Sequence, residues 1–338
     1  MRSRAPFVTR GFLGLAALAA VATPSVAQQR SRPVRPVHTY SIVARDSATG
    51  ELGVGVQSHW FSVGAIVPWA ESGVGAVATQ SFVEPSYGPL GLGLMRVGRT
   101  AAQALEGLLA ADPHPEVRQV GMVDAKGGTA VHTGSLAISE ACERTGEGFT
   151  VQANLMLAPT VCDAMVRAYR ATQGDLAERI MSALEAAQGE GGDIRGKQSA
   201  ALLVVSGAPS GKPWADRIFD LRIEDHPQPI VELRRLLGVA RAYRYMNEGD
   251  ERVTEGDIDG AVEEYRKAEE LLPAESEPVF WHAVTLATAG RVDESLPLFA
   301  KAYRMREDWR TLVPRLVAAE LLPDDPAMID RIVSAGRP

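Results

Sequence analysis

Thr39-Tyr40-Ser41-Ile42-Val43-Ala44-Arg45-Asp46 is the stretch on which the reading of this chain turns. Its β-branched and aromatic residues favour an extended strand. Turn chemistry follows at Ala48-Thr49-Gly50-Glu51, and Leu52–Ser58 then alternates glycine with valine, so the two runs read as a β-hairpin. Successive strand residues point to opposite faces, which puts Thr39 and Ser41 on one side. The leading threonine also carries a chemical expectation. If the peptide bond before it is cut, its freed α-amine can take the proton of its own hydroxyl, joining nucleophile and base in one residue. Uncut, it is a β-branched residue at a strand start.

Upstream of this strand, residues 1–27 read as a signal peptide. Arg2, Arg4 and Arg10 give a positive start, Gly11 to Val21 is a short apolar run, and Ser25-Val26-Ala27 supplies the small residues of a cleavage site. The apolar run is too short to remain as a membrane span, so the mature form is expected to be exported, to the periplasm or outside the cell. Residues 28–37, with Arg30, Arg32, Pro33, Arg35 and Pro36, read as an exposed linker. An exported chain can oxidise Cys142 and Cys162; a disulfide or two buried thiols both fit the sequence.

Downstream, Val63–Trp69, Gly75–Ser81, Arg118–Asp124, Thr129–Thr133, Gly148–Asn154, Ser199–Ser206 and Phe219–Glu224 read as further strands. Leu90–Ala110 is helical in character, with Thr100 as an N-cap. Helices are also expected from Thr160 to Tyr169 and over Leu176–Gln188, followed by a glycine-rich charged loop at Gly189–Gly196. Strands and helices come in runs rather than as repeating βαβ units. The fold class is therefore α+β, with antiparallel sheets stacked as a sandwich under covering helices.

Asp225-His226-Pro227-Gln228-Pro229 breaks the chain, and helices follow. Gly249, Gly256, Ala261, Tyr265, Ala268 and Pro273 fit tetratricopeptide spacing, and Ala283, Gly290, Ser295, Phe299 and Ala302 return about 34 residues later. Two domains are expected, 38–230 and an all-α helical-repeat domain at 231–338. The second is a possible docking module for a protein partner.

Several longer runs carry a family resemblance. They are Thr39 to Asp46, Gly64-Ala65-Ile66-Val67-Pro68-Trp69, Gly73 to Gln80, Pro85-Ser86-Tyr87-Gly88-Pro89, Arg118-Gln119-Val120-Gly121, Gly192 to Ala201, and Asp225-His226-Pro227. In that order they resemble the bacterial domain-of-unknown-function family numbered 1028, from Thr39 to about Leu237. The resemblance implies an N-terminal-nucleophile-hydrolase-like fold, a four-layer αββα sandwich whose wider class includes amidases and peptidases. Relatives often begin almost at the threonine, whereas here signal cleavage leaves a tail ending at His38. The family's Gln-Gly-Asn run is Gln152-Ala153-Asn154 here, and the tetratricopeptide-like helices stand where many relatives carry a peptidoglycan-binding tail.

Thr39 and Ser41 are accordingly the candidate catalytic residues. Gln80, Ser81, Asn154, Asp193, Arg195, Gln198 and Ser199 are the candidates for binding substrate or an oxyanion, because amides and hydroxyls at strand ends can donate to developing charge. A proteasome-type site would also want a lysine, yet none occurs between Thr39 and Lys126. Ser58 and His59 are strand neighbours on opposite faces and cannot form a dyad. The glycine-rich loop lacks the GK[ST] ending of a phosphate loop. Glu224, Asp225 and His226 lack zinc-type spacing, so neither metal nor cofactor is expected. The formal charge of -7 and the absence of a basic stripe exclude nucleic acid as a partner. The expected substrate is a small molecule or peptide of unknown identity, and the fold class allows a homo-oligomer.

Overall fold

The glycine–valine alternation of the first hairpin sets how closely the layers stack. β1 (Thr39–Arg45) and β2 (Leu52–Ser58) pair antiparallel, with Thr39 opposite Ser58 and Arg45 opposite Leu52. These strands belong to a computed structural model that describes Met1 and residues 39–337. The expected signal peptide and linker lie outside the described residues. On β2 the valines face one way and the glycines the other. A Cβ on Gly55 would lie 2.4 Å from the Ile180 side chain, so only glycine lets that helix settle onto the strand.

The remaining strands are β3 (Pro68–Glu71), β4 (Gly75–Ser81), β5 (Arg118–Asp124), β6 (Thr129–Thr133), β7 (Cys142–Gly146), β8 (Phe149–Ala153), β9 (Ser199–Val205) and β10 (Arg217–Ile223). They form two wholly antiparallel sheets. The six-stranded sheet runs β10-β9-β2-β1-β8-β7, and the four-stranded sheet runs β3-β4-β5-β6. Among the described residues there are ten α-helices, so the chain is a mixed α and β protein.

Four helices cover the outer faces. α1 (Tyr87–Arg96) and α2 (Ala101–Ala111) bury Tyr87, Leu92, Met95, Ala104 and Leu105 against Val77, Val120 and Met122 of the four-stranded sheet. α3 (Val161–Ala171) and α4 (Leu176–Gly189) bury Met165, Tyr169, Ile180 and Leu184 against Tyr40, Ile42 and Val151 of the six-stranded sheet. The inner faces of the two sheets meet through Val43, Val54, Val56, Ala76, Ala78 and Leu203.

α5 (Pro229–Glu255) is long and serves two cores. Ile230, Leu233 and Leu237 join the core beneath the six-stranded sheet. Arg234 bonds Glu178 and Glu185 on α4, and Arg241 bonds Asp175 and Glu178. Its far half packs Ala242 and Met246 on Tyr265 and Ala268 of α6 (Ile258–Leu271). α7 (Glu277–Thr288), α8 (Val292–Met305), α9 (Asp308–Ala318) and α10 (Pro326–Ser334) complete the tail around Phe280, Phe299, Tyr303 and Ile332. No helix among the described residues is long and apolar enough to cross a membrane.

Two local expectations need correcting, and a third is refined. The strand expected over Val63–Trp69 forms only from Pro68. Before it, Val63–Ala65 makes a 3₁₀ turn, because Ser62 takes a left-handed φ of 56° and the Ser199 hydroxyl accepts from the Val63 N–H. The helical stretch at Leu90–Ala110 is two helices: the first gives way at Gly98 with its φ of 89°, and the second starts at the expected cap, Thr100, in a capping box with Gln103. β7 is an additional strand, short, partly exposed and at the sheet edge.

Cys142 on β7 and Cys162 at the start of α3 are joined in a disulfide spanning 20 positions. The bond ties the edge strand to the helix layer. Closing a loop of this length should restrict the unfolded chain by about 3 kcal/mol. The Cys142→Ser/Cys162→Ser double variant is therefore expected to lose about that much in urea unfolding. A midpoint unmoved by the double substitution, or by reduction, would contradict the assignment.

Candidate functional site

The space between the two sheets is apolar at one end and polar at the other. The division follows from strand alternation. Val43 faces inward on β1, so Ser41 and Thr39 do too; Thr150, Gln152 and Asn154 face inward on β8 and its extension, Gln80 on β4, and Gln119 on β5. Thr39, Ser41, Gln80, Gln119, Gln152 and Asn154 have no solvent-exposed surface at all. Buried amides and hydroxyls are costly unless bonded, and these bond one another.

The bonds run in one sense. Gln152 Nε2 donates to Ser41 Oγ at 2.6 Å, and Ser41 donates to Gln80 Oε1 at 2.6 Å. Gln80 Nε2 donates to Gln119 Oε1 at 2.7 Å, and Gln119 Nε2 donates to Thr133 Oγ1 at 2.9 Å. Thr133 finally donates to the Glu143 carboxylate at 2.6 Å, where the chain reaches the sheet edge. Asn154 Nδ2 also donates to Gln119 Oε1, at 2.8 Å. The Thr39 carbonyl accepts from Gln80 Nε2 and from the Asn154 backbone N–H, so the two residues grip the start of β1 from opposite sheets.

Gly121 makes room for the network. A Cβ there would stand 2.3 Å from Gln152 Oε1 and 2.6 Å from Thr150 Oγ1. Both atoms are buried and have no hydrogen-bond partner among the described residues. Alanine at Gly121 would drive into them.

Beside Thr39 the ladder registers carry hydroxyls outward: Thr39 faces Ser58, and Ser58 faces Ser199. Ser199 donates to the Trp60 carbonyl and accepts from the Val63 N–H, so its hydroxyl holds the loop after β2 in place. Gln198 enters through its backbone, its N–H bonding the Ser58 carbonyl and its own carbonyl taking the His226 N–H.

Asp193 and Arg195 lie at the same end of β1 but on its helix-covered side. Gly192 packs against the Tyr40 ring, and Leu157 N–H bonds the Gly192 carbonyl. Asp193, 3 % exposed, accepts from the His59 N–H at 3.0 Å and from Arg195 Nη2 at 2.7 Å. Burial, then the Asp193 charge, pushes the Tyr40 hydroxyl well above its ordinary pKa. Tyr40 therefore stays neutral and bonds Gln188.

Ser81 is set apart. Alternation puts it with Val77 on the helix-covered face of the four-stranded sheet, and its left-handed φ of 69° ends β4. Non-glycine residues adopt that backbone at a cost, and such strain clusters at functional sites. The turn is braced by Arg118, whose Nη1 donates to the Phe82 carbonyl and whose Nε bonds Asp112 at 2.7 Å. Burial raises the Asp112 pKa, but hydrogen bonds from Arg118, the His114 N–H and Tyr87 outweigh it and hold the carboxyl below its ordinary range.

Of the residues singled out in the sequence, Thr39, Ser41, Gln80 and Asn154 converge in one network. Ser199 and Gln198 flank it, while Asp193 and Arg195 form a second cluster. Gln119 is the hub that sequence reading missed. Its signal was a long polar amide next to the apolar run Val120 to Val123, facing the same way as Gly121. Among the described residues no group of histidine, cysteine and carboxylate side chains is arranged to hold a metal ion.

Fold and site together define an α+β protein whose two antiparallel sheets enclose a buried amide and hydroxyl network at the start of the first strand. Residues 39–233 match the Family of unknown function (DUF1028), more than half of the chain, and the protein belongs to that family. Among solved structures, it is similar to the crystal structure of protein SPO2555 from Silicibacter pomeroyi, also of DUF1028. The two are 28% identical with a TM-score of 0.53, over 59% of this chain and 88% of that one. No curated protein matches.

Proposed function

We propose that this protein is an exported hydrolase of amide bonds with Thr39 as its nucleophile. Its fold is read as the four-layer αββα sandwich of N-terminal-nucleophile hydrolases. The order of layers supports that reading: α1 and α2, the four-stranded sheet, the six-stranded sheet, then α3 and α4. The carrying observation is the position of Thr39. It heads β1 on the inner face, at the polar end of the space between the sheets, with the Gln80 side-chain amide and the Asn154 backbone N–H on its carbonyl.

The chemistry starts with a cut before Thr39. The freed α-amine takes the Oγ proton as Oγ attacks the carbonyl carbon of an amide. The resulting oxyanion takes N–H groups from the Gln80 and Asn154 side chains, which turn away from Gln119 Oε1 to reach it. The amine passes the proton to the leaving nitrogen as the C–N bond breaks, and water then hydrolyses the threonyl ester. The second cluster, with Arg195 held by Asp193, binds the flank of the substrate. The Cys142–Cys162 bond fits an oxidising compartment and so supports export.

The helical tail is read as a tetratricopeptide-like interaction module. Gly256 and Gly290, about 34 residues apart, are both left-handed at helix ends, and Tyr265 and Phe299 fill equivalent buried positions. A non-catalytic envelope scaffold is the second reading. It is favoured by the full burial of Thr39 in the uncut chain and by the absence of lysine from Thr39 to Lys126.

The exact mass of the purified mature protein separates the two. The hydrolase reading expects a chain beginning at Thr39. A homogeneous chain beginning at Gln28 would sink the Thr39 mechanism and leave the scaffold.

A further inference from the structure

A cavity of about 480 Å³ opens in the helical tail, far in sequence from the polar network. Its walls come from α5, α6 and α7, together with Leu321 beyond α9. Tyr243, Tyr265 and Trp281 supply aromatic surface, Met246 adds an apolar wall, and Asp250 and Glu277 supply two carboxylates. The size is that of a small-molecule site rather than of a packing defect.

The charges are what distinguish this cavity. Among the described residues that line it there is no lysine, arginine or histidine. Neighbouring acids have cationic partners: Glu264 pairs with Arg252 and Lys267, and Glu269 with Lys301. Among the described residues, Asp250 and Glu277 form no ion pair. Each instead accepts from a tyrosine of the cavity wall, Asp250 from Tyr265 at 2.5 Å and Glu277 from Tyr243 at 2.6 Å. That bond, with partial burial, pushes the Tyr243 pKa up to about 12 and keeps it a donor. The Tyr265 ring is held in turn by stacking on His282, with centroids 6.0 Å apart.

Tyrosine hydroxyls orient the carboxylates; beyond those bonds the charge meets solvent, with Asp250 exposed and Glu277 half-buried. A neutral or anionic guest would add nothing to offset it. A cation would, and the aromatic faces attract a cation through their quadrupoles. A metal ion is the wrong cation: the described residues assemble no metal-binding group, and rings do not ligate one. The apolar wall calls for hydrocarbon on the guest.

We propose that this cavity binds a small organic ammonium ion, seated with its charge on Asp250 and Glu277 and its apolar body against Trp281 and Met246. The inference does not depend on the Thr39 chemistry, since the two regions share no residue.

Isothermal titration of the intact mature protein tests it, using n-hexylammonium as the probe and n-hexanol as its neutral counterpart. Saturable binding of the ammonium is expected, with n-hexanol at least about tenfold weaker. Glu277→Gln keeps the shape and an acceptor but removes the charge, and Trp281→Leu removes the ring face. Each is expected to weaken n-hexylammonium at least about tenfold. Glu277 is partly exposed on α7, and circular dichroism is the check that its variant folds. Equal binding of the alcohol, no saturable binding of the ammonium at millimolar concentration, or a folded Glu277→Gln that binds unchanged would each overturn the proposal.

Discussion

Thr39→Ala in the processed chain is expected to remove amide hydrolysis, lowering kcat by at least about 10³-fold, whereas Thr39→Ser should retain most of it. The reason is the double role of the residue. Alanine keeps the α-amine but has no oxygen to attack with, so neither the nucleophile nor the ester intermediate exists. Serine keeps both groups and loses only a methyl. A panel of N-acyl amides and short peptides provides the assay, with the mature wild-type chain as reference.

Ser41→Ala is the informative companion, because Ser41 lies two residues on and faces the same way. Its hydroxyl is already committed, accepting from Gln152 and donating to Gln80. Its loss should therefore lower stability by about 1–3 kcal/mol through orphaned buried amides, and activity only as far as the network shifts. If Thr39→Ala leaves hydrolysis intact while Ser41→Ala removes it, the nucleophile has been misassigned. If the wild-type chain beginning at Thr39 cleaves nothing in the panel, the scaffold reading stands.

How much of this was legible beforehand depends on the kind of information each feature uses. The period-two pattern of Thr39 to Arg45 gave strand and facing together, which is why Thr39 and Ser41 fall on one side. Thr100 announced the start of α2 because an N-cap is a local signal. β7 was not legible. Cys-Glu-Arg-Thr-Gly is short, charged and half exposed, and it is a strand only because β8 lies beside it. The turn at Val63 was hidden for a similar reason. Its apolar run suits a strand, but a hydroxyl 136 residues away takes its N–H. The Cys142–Cys162 pairing could be posed but not decided, since pairing depends on distance in space. Gln119 was visible only as part of a longer run; its importance comes from which sheet it faces.

Gln119→Ala is accordingly expected to be among the most destabilising single changes in the sheet-bearing part. Gln119 meets five partners. Its carbonyl accepts from Gln80 and Asn154, and its amide donates to Thr133, the Cys142 carbonyl and the Ala153 carbonyl. Alanine removes all of these and leaves a gap that cannot collapse easily, because two sheets frame it. Some groups have second partners: Gln80 Nε2 also donates to the Thr39 and Gln152 carbonyls. The orphaned remainder, at about 1–3 kcal/mol for each buried group, together with the cavity, points to a loss of about 3–5 kcal/mol in urea unfolding. Gln119→Glu separates shape from bonding. It keeps the length and the acceptor but brings a buried carboxylate against the Cys142 and Ala153 carbonyls, so it should destabilise at least as strongly near neutral pH and recover as acid protonates it. The sign follows from the side chain: only the protonated acid can donate where the amide donated, so the folded state raises its pKa and stability falls as pH rises through that value. A Gln119→Glu variant whose stability is flat between pH 4 and pH 8, or a Gln119→Ala variant within about 1 kcal/mol of wild type, would show that the network fills space without holding the two sheets together at the start of β1.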